Sequence, residues 1–173
     1  MKYQIELKVI PYKIKDFIIV RIPREESNKF TSRGHVMVEG LINGEPIIIP
    51  LEPDGNFGHW FNLNDLGNRS VDLNAPIDLR INQTTSWIEP KIPNDIKKAI
   101  KTEPAVFRLW KTITPLARWE WVRWINSTAS EQTRAKRINV ALDKMNKGEK
   151  RPCCWNRNLC TEPSVSKNGV LLS

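Results

Sequence analysis

The sequence contains few of the residues that build catalytic and metal centres. It has only two histidines and three cysteines in 173 residues. It carries no Walker loop, no dinucleotide-binding glycine fingerprint and no His-Glu-x-x-His zinc pattern. Neither His35 nor His59 has an obvious nucleophile nearby in the sequence, and no Ser or Cys has the surroundings of a recognisable nucleophile. These absences argue against an enzyme, and they lead us to expect no cofactor.

Long apolar runs are also missing. No stretch approaches the ~18 consecutive apolar residues of a membrane-spanning helix. The first eight residues are too polar for a signal peptide. Apolar residues make up 40% of the chain and charged residues 27%, a balance that is typical of globular proteins. We therefore expect a folded, cytoplasmic protein of one or two small domains.

The charge is unevenly distributed along the chain. Residues 1–88 carry 10 basic and 11 acidic side chains, whereas residues 89–173 carry 17 basic and 8 acidic, so the net charges are −1 and +9. This asymmetry predicts two modules and favours an anionic partner, either a nucleic acid or an acidic protein. A solvated basic surface that serves solubility alone is the alternative.

The first half, residues 1–88, has the pattern of β-strands. Residues 5–9 alternate between apolar and polar, as in a half-buried strand. Asn43-Gly44 lies between two apolar stretches and is the strongest hairpin signal, because both residues tolerate positive φ. About six short strands with turns between them predict a small antiparallel β-barrel.

The second half is predicted to be helical. Thr114 and Ser130 are suited to cap the starts of two helices, and Gly148 is suited to end the last one. About four helices are expected over residues 92–150, followed by a cysteine-containing tail at residues 151–173. The predicted fold class is therefore α+β, with a β-barrel domain preceding a helical domain.

A cationic strip is predicted on the last helix and the segment after it. Arg134 lies four residues before Ile138, so it points along the apolar stripe of the helix. A guanidinium there requires an anion, which is either the partner of a buried ion pair, with Glu120 as the candidate, or a bound ligand. The basic residues of the strip, which are suited to phosphates, are Arg134, Lys136, Arg137, Lys144, Lys147, Lys150 and Arg151.

An exposed tryptophan is predicted beside this strip. Trp119 lies on the far side of its helix from the core stripe, with Arg118 and Arg123 beside it. Such a side chain can stack on nucleic-acid bases or on a partner protein. Packing of Trp119 under the barrel is the alternative.

The cysteines are weak candidates for a metal site. Cys153 and Cys154 are adjacent, and Cys160 follows six residues later, so the paired spacing and the fourth ligand of a zinc site are missing. In a cytoplasmic chain these residues are expected to be reduced. Buried or redox-sensitive thiols are the alternative interpretation.

Several stretches of the second half together resemble the helical domain of a known family. They are Ile92–Ile96, Glu103–Ala105, Ile113–Pro115, Glu120–Ile125 and Thr133–Ile138. The family is the YdeI/OmpD-associated family, also labelled bacteriocin-protection, and its most distinctive element is Thr-Arg-x-x-Arg-Ile, found here at residues 133–138. The segment Lys150–Arg157 resembles an extension that some members carry. Val36–Pro53 is similar to a small β-barrel domain of unknown function that often precedes the helical domain.

This resemblance covers about residues 3–157, and it implies a two-module architecture and a bacterial origin. It implies no catalytic residue and no cofactor. The protection label concerns resistance to antimicrobial peptides and implies the cell envelope in some members, whereas this chain shows no export signal. The sequence departs from the family at Asn74-Ala75-Pro76, where Gly-Asp is usual, and at Trp119, where polar residues are usual.

Three functions are compatible with these observations. The first is a non-enzymatic, cytoplasmic binding or stress-protection protein whose basic helical face contacts an anionic partner. The second is a nucleic-acid-binding regulator, which a steep salt dependence of affinity would distinguish. The third is a small-ligand binder or an enzyme that uses a cleft between barrel and helices, near His59, Glu120 and Arg134.

Overall fold

A computed structural model describes residues 2–67, 71–153 and 155–173. The chain divides into two units. The β unit contains the residues up to Trp87 together with residues 156–160 and 164–173, and the helical unit contains Ile88–Trp155 and residues 161–163. The α+β class predicted from the sequence is confirmed. No helix in the described parts of the chain is both long enough and apolar enough to span a membrane.

The β unit is built on a curled antiparallel sheet of seven strands, which forms a half-barrel. The strand order is β1-β7-β4-β5-β6-β3-β2. A four-residue helix, α1 (Arg24–Ser27), follows β3, and a 3-10 turn at Leu63–Leu66 follows β6. The strands are β1 (Ile5–Val9), β2 (Tyr12–Ile14), β3 (Phe17–Ile22), β4 (Val36–Ile42), β5 (Glu45–Pro53), β6 (His59–Asn62) and β7 (Ile77–Thr84).

The hairpin between β4 and β5 forms at the predicted turn. Asn43 and Gly44 have φ of 50° and 85°, which are the left-handed values that a two-residue hairpin turn requires. Because Ile42 and Glu45 form the hydrogen-bonded pair next to the turn, alternate pairs along the ladder are not hydrogen-bonded. Pro46 faces Leu41 in one of the pairs that are not hydrogen-bonded, so the N–H that proline lacks is not needed in this ladder.

The last strand of the seven-stranded sheet follows the segment Asn74-Ala75-Pro76. β7 begins directly after it, at Ile77, and pairs with β1 on one side and β4 on the other. Gly40 of β4 pairs with Ile81 of β7, and a Cβ at position 40 would come within 2.0 Å of the Arg80 carbonyl oxygen. The close approach of the two strands therefore requires a glycine at position 40.

Both faces of the β3–β6 pair are buried. Val20 and Phe61 contribute to the main core of the half-barrel, whereas their neighbours Ile19 and Trp60 face a second cluster. The tail supplies the other side of this second cluster with Cys160, Val165 and Leu171. Two-sided burial explains why residues 17–20 form a continuous apolar run and not an alternating pattern.

The tail ends in a small hairpin within the β unit. Its strands are β8 (Ser166–Lys167) and β9 (Val170–Leu171), joined by Asn168 and Gly169 with φ of 53° and 77°. Leu171 N–H donates to the carbonyl oxygen of Asp54 at 2.8 Å. The last residues of the chain therefore fold onto strands formed near its beginning.

The helical unit contains four helices, as predicted. Thr114 and Ser130 cap two of them, since their side-chain oxygens accept hydrogen bonds from the N–H groups of Ala117 and Thr133. Gly148 follows the last helix with φ of 86°. The helices are α2 (Asn94–Thr102), α3 (Pro104–Thr112), α4 (Pro115–Asn126) and α5 (Glu131–Asn146).

The core of the helical unit is formed by one apolar stripe from each helix. α4 contributes the fully buried Trp121, and α5 contributes Ala141 and Met145. Trp124 and Ile138 are half-buried and pack against this core. The remaining buried residues include Ile96, Ile100, Val106, Trp110, Ile113, Ala117, Val122 and Ile125.

Candidate functional site

Arg134 forms an ion pair between α5 and α2. Its Nε and Nη2 donate to Oδ2 and Oδ1 of Asp95 at 2.7 and 3.0 Å, and its Nη1 donates to Oδ1 of Asn126 at 2.5 Å. The bond to Arg134 lowers the pKa of the Asp95 carboxyl. The ion pair predicted for Arg134 is therefore present, but Glu120 was the wrong partner, and the pair is half-exposed where the sequence predicted a buried one.

Glu120 pairs instead with Arg151, which follows α5. The Glu120 carboxylate is 2% exposed and accepts hydrogen bonds from both Nε and Nη2 of Arg151. This bond raises the pKa of the Arg151 guanidinium. A buried carboxylate requires such a partner because its charge has lost contact with water. Arg151 therefore neutralises Glu120 inside the unit and has little charge to offer a ligand.

Three more predicted residues of the strip, Arg137, Lys144 and Lys147, also have partners within the helical unit. No partner is found for the side chain of Lys136 or Lys150 among the described residues. Arg137 donates to the Trp124 carbonyl oxygen at 2.7 Å and to the Ser127 hydroxyl, and it covers the Trp124 ring. Lys147 pairs with Asp143 one helical turn before it. Lys144 lies 3.2 Å from the Glu149 carboxylate. The strip on α5 is therefore made largely of structural cations.

Trp119 is half-buried, and its indole N–H donates to the carbonyl oxygen of Ile88 at 2.7 Å. The neighbouring Arg118 pairs with Glu89 and donates through Nε to the Trp110 carbonyl oxygen. Both side chains thus fasten the start of the helical unit to α4. The indole N–H of Trp119 is thus used within the unit.

A different group of basic side chains is exposed in the helical unit. Lys97, Lys98 and Lys101 project from α2, on the side away from the buried Ile96 and Ile100. Arg108 is exposed on the next helix, α3. We call Lys97, Lys98, Lys101 and Arg108 the α2–α3 basic face. Within the described residues, none of the four side chains forms a hydrogen bond or an ion pair.

The two histidines are buried in the β unit. His59 is 1% exposed, and its Nε2 lies 2.8 Å from the Gly34 carbonyl oxygen. Burial lowers the pKa of His59, against the opposing effects of that hydrogen bond and of the Asp54 charge. His35 packs edge-on against Trp87. His59 and Glu120 were predicted to line a cleft; each is buried among residues of its own unit, and the cleft itself stays a prediction.

The cysteines are not arranged as a metal centre in the described part of the chain, which contains no metal-binding group of three or more suitable side chains. Cys153 is exposed, and its Sγ lies 3.1 Å from Nζ of Lys144. Cys160 is buried in the second cluster of the β unit. Cys154 lies outside the described residues, so the prediction made for it is not addressed.

β5 and β6 are joined by residues 54–58, which we call the Phe57 loop. The carboxylate of Asp54 is 1% exposed and lies at its centre. Its Oδ1 accepts hydrogen bonds from the N–H groups of Asn56 and Gly58 at 2.7 and 2.8 Å, and its Oδ2 accepts two from Arg21 at 3.0 and 2.8 Å. A buried carboxylate with four donors holds the loop in one conformation.

Phe57 occupies an unfavourable position at the tip of this loop. Its φ of 67° is left-handed, which costs a residue other than glycine about 1–2 kcal/mol. Its ring is 49% exposed, so burial of the other half contributes about 1 kcal/mol, which is comparable to this cost. The guanidinium groups of Arg24 and Arg33 lie 4.7 and 4.8 Å from the ring centre. The sequence Pro53-Asp54-Gly55-Asn56 favours a turn here, but no local pattern indicates that two arginines meet at the ring.

Comparison with known proteins links the helical unit to one family. Residues 89–148 match the model of the family described as Bacteriocin-protection, YdeI or OmpD-Associated. The match spans α2 to α5 and confirms the resemblance found in the sequence. No curated protein and no solved structure matches the chain significantly. Through its helical region, residues 89–148, the protein is thus similar to the YdeI/OmpD-associated, bacteriocin-protection family, and a half-barrel β unit precedes that region.

Proposed function

We propose that the protein is a non-enzymatic, cytoplasmic binding protein whose helical unit holds a polyanion on the α2–α3 basic face. The observation that carries this proposal is the division of the basic residues into two classes. Five cations of the predicted strip, Arg134, Arg137, Lys144, Lys147 and Arg151, have carboxylates or carbonyl groups as partners. The four side chains of the α2–α3 basic face, like Lys136 and Lys150, have none within the described residues. The α2–α3 basic face therefore has its full charge available to an anionic partner.

The chemistry of this face favours a phosphate backbone. Three of the four cations are lysines, which bind phosphates as compact point charges. Lys97, Lys98 and Lys101 lie within about one turn of α2, so several phosphates of one strand can be contacted together. Contacts of this kind position a nucleic acid without reading its sequence. We therefore propose a nucleic acid, bound without sequence specificity, as the polyanion.

The family description supplies a setting for this function. It names protection against bacteriocins. We propose that any protective role of this chain consists in binding an anionic partner and covering it. Such a role requires exposed positive charge, which the α2–α3 basic face has. It requires no catalytic group.

The test is fluorescence anisotropy with labelled 20-nucleotide single strands and duplexes. We expect binding at about 50 mM salt and a loss of affinity of about two orders of magnitude at about 200 mM, the loss that four phosphate contacts produce. Equal or tighter binding of polyglutamate would redirect the proposal to an acidic protein. Absence of binding to either probe at low salt would refute it.

Matched variants locate the interaction. We expect Lys97→Glu/Lys98→Glu/Lys101→Glu to weaken nucleic-acid binding at least about tenfold, since three phosphate contacts become repulsive. The control Lys8→Glu/Lys13→Glu/Lys167→Glu makes the same change in net charge at exposed positions of the β unit and should bind nearly as the unmodified protein does. Weakening by Lys144→Gln/Lys147→Gln, with no effect of the α2 variant, would place the site on α5 after all.

A further inference from the structure

The Phe57 loop presents an aromatic ring that lies outside the apolar cores of the β unit. Phe57 adopts a left-handed conformation that glycine would adopt without strain. Its ring is half-exposed and takes no part in the core clusters of the β unit. The loop is nevertheless fixed, because Asp54 accepts four hydrogen bonds beneath it. A strained, exposed and rigidly held aromatic side chain is typical of a binding site.

The arginines at the ring are available to a partner. Arg24 and Arg33 are exposed, and neither forms an ion pair with a carboxylate in the described parts of the chain. The nearby carboxylate of Glu26 is already paired with Lys29 at 2.7 Å. Two guanidinium groups therefore lie against one exposed ring with their charge uncompensated.

Further apolar side chains are exposed on segments that contact the Phe57 loop. Gly55 packs against the tail hairpin so closely that a Cβ on it would lie 1.9 Å from the Gly169 carbonyl oxygen. Gly169 in turn lies against the side chain of Leu159. Val170 and Leu159 are 40% and 36% exposed. The surface around the loop therefore combines apolar groups with positive charge.

The composition of this surface favours a protein partner. Phenylalanine and arginine are enriched at the centres of protein interfaces, where a few such residues supply most of the binding energy. A guanidinium group forms paired hydrogen bonds with a carboxylate in one plane. The charges at the ring are both guanidinium groups, so the surface is suited to carboxylates that flank an apolar side chain.

We propose that Phe57, Arg24 and Arg33 form a docking site for an acidic segment of a partner protein. The segment would place an apolar side chain against the Phe57 ring and its carboxylates on the two arginines. The preformed loop lowers the cost of binding, because little has to become ordered when the segment arrives. This site lies in the β unit and uses none of the residues of the α2–α3 basic face.

The test is an array of immobilised twelve-residue peptides, probed with the labelled full-length protein. The peptides vary Asp, Glu, Lys and Ser around a central Leu, Phe or Ser. We expect the strongest binding where Asp or Glu stands on both sides of Leu or Phe. Equal binding to the lysine-containing peptides, or to peptides with a central Ser, would overturn the proposal.

Variants assign the binding to the ring and its arginines. Phe57→Gly removes the ring while it relieves the backbone strain, so it should keep the fold and reduce peptide binding about tenfold. Arg24→Gln/Arg33→Gln should reduce it as much, whereas the charge-matched control Lys8→Gln/Lys13→Gln should not. Lys97→Glu/Lys98→Glu/Lys101→Glu should also retain peptide binding.

Two results would contradict the assignment. One is peptide binding by Phe57→Gly that equals that of the unmodified protein. The other is binding to vesicles with about 30% phosphatidylglycerol, lost in Phe57→Gly, without any preference among the peptides. The second result would make the site a lipid-binding surface.

Discussion

His59 is held in its neutral form by burial in the β unit. Burial lowers its pKa, and the nearby charge of Asp54 and the Gly34 carbonyl oxygen oppose that effect only in part. In the unfolded chain the pKa returns to about 6.5. The unfolded state therefore takes up a proton at a higher pH than the folded state does, and the free energy of unfolding decreases as the pH falls below about 6.5.

This linkage predicts that part of the pH dependence of the free energy of unfolding is due to His59 alone. Between about pH 7.5 and 5.5, the unmodified protein should lose about 1 kcal/mol more stability than His59→Gln, since Gln does not titrate. The free energy of unfolding in urea, measured for both proteins at both pH values, checks this. Because the carboxylates are the same in the two proteins, their contributions cancel in the comparison. Equal losses would show that His59 titrates alike in the folded and unfolded states.

Single residues also show what the sequence can and cannot reveal. The functions of Thr114, Ser130 and Asn43-Gly44 were predicted, because a cap or a tight turn is decided by residues within three or four positions. Asn168-Gly169 has the same signal and forms the same kind of turn, but its flanking strands are only two residues long. No sequence signal indicated that Arg24 and Arg33 would lie against the ring of Phe57, since the three residues belong to separate segments of the chain.

At the scale of elements, the two ion pairs of the helical unit are expected to differ in strength. The side chains of Arg134 and Asp95 are 24% and 48% exposed, so water already solvates much of this pair. Arg151 is half-exposed as well, but the Glu120 side chain that it neutralises is 3% exposed. Removal of Arg151 takes two charged hydrogen bonds from a buried carboxylate, whereas removal of Arg134 leaves a carboxylate that water can reach.

We therefore predict that Arg151→Ala destabilises the protein more than Arg134→Ala does. The expected losses are about 2–3 kcal/mol for Arg151→Ala and about 1 kcal/mol for Arg134→Ala. Urea unfolding followed by circular dichroism measures both. Glu120→Gln in the Arg151→Ala background should recover part of the loss, because a neutral amide is less costly to bury than a carboxylate. A larger effect of Arg134→Ala would mean that the α2–α5 pair is the dominant one.

The order of the helices could be predicted from the sequence, but the ion pairs that join them could not. Helix starts, ends and apolar stripes follow from local chemistry and from a period of 3.6 residues. Arg134 pairs with a residue 39 positions away, and Arg151 with one 31 positions away. The sequence correctly indicated that Arg134 needs an anion, but its choice between Asp95 and Glu120 depends on how the helices cross.

At the scale of the whole molecule, the last residues of the chain belong to the first unit. After the helical unit, residues 164–173 return to the β unit and cover the face of β3 and β6 that the main core leaves open. Val165 and Leu171 are 0% and 4% exposed there, and Leu171 also donates its N–H to Asp54. The β unit is therefore complete only when the C-terminal segment is in place.

The two adjacent leucines of the tail give a direct test of this arrangement. Leu171→Ala should destabilise the β unit by about 2–4 kcal/mol, because it leaves a cavity against Ile19 and Trp60. Leu172→Ala is the matched control: Leu172 is 39% exposed, and its truncation should cost less than about 0.5 kcal/mol. Hydrogen exchange measured by mass spectrometry shows where stability is lost. Faster exchange should appear in β3 and β6 of Leu171→Ala while α5 is unchanged, since the cavity lies in the other unit. Equal exchange in the two variants, or faster exchange confined to the helices, would mean that the tail does not support the β unit.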